Sequence, residues 1–79
     1  MAKLQPKQRI NIIVQSATRL AMESGLVAVT HGAVAKRCTT PTSKETVKRY
    51  FPVKADLWRA AVEADETGAL AAQERELNG

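Results

Sequence analysis

Lys44, Glu45, Lys48 and Arg49 crowd into the segment SKETVKRYF, which lies between Pro41 and Pro52. At about 100° per residue they share one side of a helix, while Ser43, Val47, Tyr50 and Phe51 share the other. Three cations and one carboxylate on so short a helix suit the binding of a polyanion rather than bond-making. The rest of the chain offers no competing chemistry. Asp65 and Glu66 are adjacent on a helical pattern, so their carboxylates do not converge. There is no nucleophile–base pair and no glycine-rich phosphate loop, so no enzyme and no cofactor are expected. Cys38 and His31 stand alone, which excludes an intramolecular disulfide and a structural zinc site.

Charge is distributed to the same effect. Residues 1–54 carry ten Lys/Arg against two acids, a balance of +8. Residues 55–79 carry two against six, a balance of −4. Such a split concentrates positive potential on one part of the fold, as a polyanion-binding surface does. The lone thiol favours a reducing compartment. No apolar run is long enough to span a bilayer and no signal-peptide core is present, so a cytoplasmic protein away from membranes is expected.

The elements that must position this segment are helical throughout. Ile10, Ile13, Val14, Ala17, Leu20 and Ala21 recur at three- and four-residue steps, and the spacing predicts a first helix over about 6–24. Pro6 suits its first turn and Gly25 its end. Thr30 is the expected N-cap of a second helix reaching about Cys38, with Ala33, Val34 and Cys38 inward and Lys36 and Arg37 outward. His31, in its first turn, reads as a surface or capping residue. The linker TTPT follows, where Pro41 bars helix. Thr42 and Glu45 have capping-box spacing for a third helix that Pro52 stops. A fourth helix begins near Val53, turns Leu57, Trp58, Ala61 and Val62 inward, and either continues to Leu77 or breaks at Gly68. The expected fold is all-α: a small three- to four-helix bundle with an extended C-terminal helix. Residues 1–8 would form a basic arm, 9–63 the core domain and 64–79 an acidic helical tail.

A short helix anchored by its apolar face, after another helix and a tight linker, is a helix-turn-helix. Its second helix fits a DNA major groove about 12 Å wide, and phosphates on both walls account for the cations. The partner expected is therefore double-stranded DNA.

IVQSATRLAMESGLVAVT, then VAKRC, then TSKETVKRYFPVKADLWRAAV resembles the N-terminal DNA-binding domain of the tetracycline-repressor (TetR) family. Ile13, Ala17, Leu20, Gly25, Thr30, Val34 and Ala35 fall in register with that pattern. So do Ser43, Thr46, Val47, Tyr50, Phe51, Lys54 and Leu57, over about residues 9–63. The resemblance implies a transcriptional repressor in which Thr30 and Lys54 contact phosphate from helix N-termini. It also implies that Lys44, Glu45 and Lys48 lie nearest the bases. Lys36, Arg37, Thr42, Ser43 and Arg49 complete the set of candidate DNA-binding residues. The chain departs from the pattern in its TTPT turn, which lacks glycine and is two residues longer, and in carrying Lys48 where the family often has Tyr. The family's ligand-binding and dimerisation domain has no counterpart in these residues, so no small-molecule inducer is expected. Helix-turn-helix proteins this short suit regulators of phages and other mobile elements. Two other roles fit the same features: an accessory of recombination, transposition or packaging, and a helix-turn-helix module that blocks another protein. A homodimer is expected, through a stripe of Leu57, Ala61, Ala64, Gly68 and Ala71 along the C-terminal helix.

Overall fold

The computed structural model describes residues 5–78, apart from the side chain of Asn78. Five α-helices and one 3-10 turn make up the fold, with no strand among the described residues. They are α1 (Pro6–Ser24), α2 (His31–Arg37), α3 (Lys44–Tyr50), α4 (Lys54–Ala64) and α5 (Ala69–Asn78). No described helix is long and apolar enough to cross a membrane.

α1 opens with Pro6, whose missing N–H costs nothing in a first turn. It buries Ile13, Ala17 and Ala21 at four-residue steps. Two alanines on that line leave room for a close neighbour, and α4 fills it with Leu57 and Ala61. Gly25 ends α1 at φ 90°, a conformation that disfavours any side chain, and donates its N–H to the Ala21 carbonyl at 2.8 Å. The chain then tightens into a 3-10 turn, Leu26–Ala28, which drives Leu26 and Val29 into the core. Neither residue belongs to a helical stripe, so periodicity did not mark them.

α2 and α3 are two turns each and cannot stand alone. Each is fastened by one fully buried valine, Val34 and Val47, and by a hydroxyl cap. Thr30 Oγ1 accepts the Ala33 N–H at 3.1 Å, as expected. The cap of α3 is shifted by one residue from the expectation: Ser43, not Thr42, accepts the Thr46 N–H, at 3.1 Å. The Thr42 hydroxyl is already engaged, donating to the Thr40 carbonyl at 2.9 Å and accepting from Arg9 at 3.5 Å. The capping box with Glu45 therefore does not form. Ser43, expected on the anchoring face, is exposed, and Tyr50 and Phe51 are half-buried rather than enclosed.

In the C-terminal quarter the structure takes the broken alternative: the extended helix gives way to two, with the break ending at Gly68. Asp65 accepts the Leu70 N–H at 2.9 Å and, with its other oxygen, the Thr67 N–H at 3.0 Å and the Thr67 hydroxyl at 2.6 Å. Gly68 completes the turn at φ 81°. α5 folds back against α1, the 3-10 turn and α4, and it buries Leu70. The proposed dimer stripe is dismantled by the same turn. Leu57 and Ala61 are core residues, Gly68 sits in the turn, and Ala71 lies on another helix. Of the expected basic arm, residues 1–4 lie outside the described residues, and Pro6–Gln8 form the first turn of α1.

Asp65 yields a pH prediction. The Leu70 N–H, then the Thr67 hydroxyl, hold its carboxyl below the usual carboxylate range. A folded-state pKa below the unfolded one stabilises the fold above the unfolded value, and that gain is lost as pH falls through the folded one. Thermal melts between neutral and acid pH should show the wild type losing part of its stability across the carboxylate range. Asp65→Ala should start lower at neutral pH and lose less on acidification.

Candidate functional site

α3 is held by Val47 on one side and so must present the other. Lys44, Glu45, Lys48 and Arg49 are all exposed. None is committed to an ion pair; the one ion pair among the described residues joins Arg37 to Glu23. Lys44 lies toward α2, with its Cδ 3.9 Å from where a Cβ on Gly32 would stand. Arg9, from the second turn of α1, reaches Thr42 just ahead of α3. It is not one of the site residues named from the sequence, although it closes the basic segment MAKLQPKQR, whose charge was its local signal.

The far end of α3 is locked to α2 and lies close in sequence to the start of α4. His31 Nε2 donates to the Phe51 carbonyl at 2.6 Å. A carbonyl only accepts, so this bond places the ring proton on Nε2. His31 is therefore a tie between the start of α2 and the end of α3, a role with no signature in the sequence. Trp58 Nε1–H donates to the Val29 carbonyl at 2.9 Å, one residue before the Thr30 cap. The Lys54 ammonium sits 5.1 Å from the centre of the Trp58 ring, a cation–π contact. Through Trp58, the segment leading into α2 is joined to α4, which brings Thr30 and Lys54 into one neighbourhood.

Lys36 and Arg37 go elsewhere. With Arg19, Glu23, Ile12 and Thr39 they border an open groove of about 390 Å³ between α1 and the end of α2. No residue of α3 lines it. Arg37 is engaged by Glu23, and as both are largely exposed the pair contributes at most about 1 kcal/mol. The candidate cations therefore form two groups: one around α3 with Arg9 and Lys54, the other around the α1–α2 groove.

Taken chemically, the α3 group is an exposed, charged, two-turn helix with further cations near it, which suits contact with a polyanion. Among the described residues no three of His, Cys, Asp and Glu gather to hold a metal. Comparison with protein families, curated proteins and solved structures finds no match to this chain.

Proposed function

We propose that this chain is a sequence-specific double-stranded DNA-binding protein, in its simplest form a small TetR-like transcriptional repressor acting in the cytoplasm. The observation that carries the reading is the exposed face of α3. It holds four charged side chains with no ion pair among the described residues, on a helix fastened through Val47. In this reading α3 lies in the major groove, and Arg9, Thr30 and Lys54 meet the phosphates beside it. One such helix reads only a few base pairs, so two protomers on half-sites about one DNA turn apart are the arrangement proposed.

Fluorescence anisotropy with a labelled random-sequence duplex tests the reading. The wild type binds, and Lys44→Ala with Lys48→Ala binds at least several-fold more weakly with an unchanged circular dichroism spectrum. A chain that ignores duplex DNA, or that binds equally well without these lysines, ends it.

The cationic groove between α1 and α2 favours a second reading, a scaffold that engages an acidic protein partner. Salt-sensitive binding to a protein, with none to duplex DNA, separates the two.

A further inference from the structure

Glu45 and Arg49 each stand two positions from Val47, a rotation of about 200° on the helix wheel. They therefore occupy the centre of the outward face, with Lys44 and Lys48 on the flank nearer α2. Glu45 lies in the first turn of α3, where its charge complements the helix dipole, but it makes no cap and no ion pair there. Ser43 caps the helix with its own hydroxyl, and no cation pairs with the Glu45 carboxylate among the described residues. A bare carboxylate pushed into a phosphate-walled groove repels that backbone. It is tolerated where a base offers it a donor, and the cytosine N4 amino group is the donor that Glu matches in the major groove. Arg49 matches guanine, with two donors for O6 and N7. The centre of the face holds no Asn or Gln to read adenine, and Thr46, the one side chain of α3 with a methyl for thymine, stands half-buried on the opposite flank from Lys48.

We infer that α3 reads G·C pairs, Arg49 on a guanine and Glu45 on a cytosine, and that Glu45 sets specificity by penalising every other base at its position. The inference rests on the DNA-binding reading above. Four residues separate the two side chains, about 6 Å along the helix axis. At about 3.4 Å per base, the two pairs fall within roughly three base pairs of each other. Glu45 thus lowers overall affinity while sharpening choice, and Lys44 and Lys48 supply the attraction that offsets it.

The test is selection from a random duplex library with the wild-type chain, Glu45→Gln and Glu45→Ala, each checked for helicity by circular dichroism. The wild type should enrich a guanine and a cytosine within three base pairs, with each mismatch weakening binding roughly ten- to a hundredfold. Glu45→Gln should move the choice at the cytosine position to adenine, because Gln pairs with adenine N6 and N7. Glu45→Ala should lose the choice at that position and bind unselected DNA more tightly than the wild type does. A purely structural role for Glu45 would alter stability and leave the selected bases alone. Selection of A·T pairs by the wild type, or an unchanged cytosine in both variants, overturns the inference and leaves the DNA-binding reading intact. Failure of the wild type to bind any duplex overturns both.

Discussion

Leu70→Ala should cost the fold about 2–5 kcal/mol, the usual range for removing a buried leucine. Leu70 is 1% exposed, and it is the fully buried side chain by which α5 grips the rest of the molecule. It inserts where α5 meets α1 and the 3-10 turn, beside the Leu26 N–H that Gln73 accepts. Domains of this size have only about 5 kcal/mol or a little more to lose, so the change removes a large share of total stability. Urea or thermal denaturation followed by circular dichroism should show a sharply lower midpoint. Leu77→Ala, at a position 47% exposed, should stay within about 0.5 kcal/mol of wild type. If α5 instead gripped a second copy, Leu70→Ala would leave the dilute-solution midpoint unchanged and lower the sedimenting mass. That result would contradict the intramolecular docking described here.

DNA affinity should fall steeply with salt. Arg9, Lys44, Lys48, Arg49 and Lys54 surround α3 without a carboxylate partner among the described residues, whereas Arg37 is engaged by Glu23. With four to five phosphates neutralised per protomer, log K against log[salt] should slope by about −4. A rise from 50 to 200 mM salt would then weaken binding roughly 250-fold per protomer. Titrating one duplex at several salt concentrations measures the slope. Lys54→Ala should reduce its magnitude by about one if Lys54 touches phosphate. A flat response would remove the electrostatic basis of the proposed function.

Much of the helical frame was legible from local signals. α1 has the expected ends because Pro6 and Gly25 punctuate the chain and its apolar residues keep helical spacing. The outward face of α3 was legible for the same reason: with Val47 inward, the geometry of the helix sends Glu45 and Arg49 outward. The Thr30 cap depends on atoms three residues apart, which the sequence displays directly.

What lay beyond the sequence depends on partners distant along the chain. The stripe from Leu57 to Ala71 looked continuous because spacing alone cannot tell a surface seam from a core. Only the packing of α4 on α1, and the Asp65 turn that sends Leu70 back to the core, decided it. Thr42 and Ser43 carry equivalent hydroxyls for capping α3. The choice fell to Ser43 because Thr42 is engaged by Thr40 and by Arg9, 33 residues away. Lys36 and Lys44 are alike as charges in a sequence. Tertiary packing puts one beside a groove on α1 and the other on α3, because α2 turns its C-terminal end toward Arg19 and Glu23. Periodicity determines which face of each helix is apolar; which neighbour covers that face, and which charges then stand together, is set by contacts that no local pattern encodes.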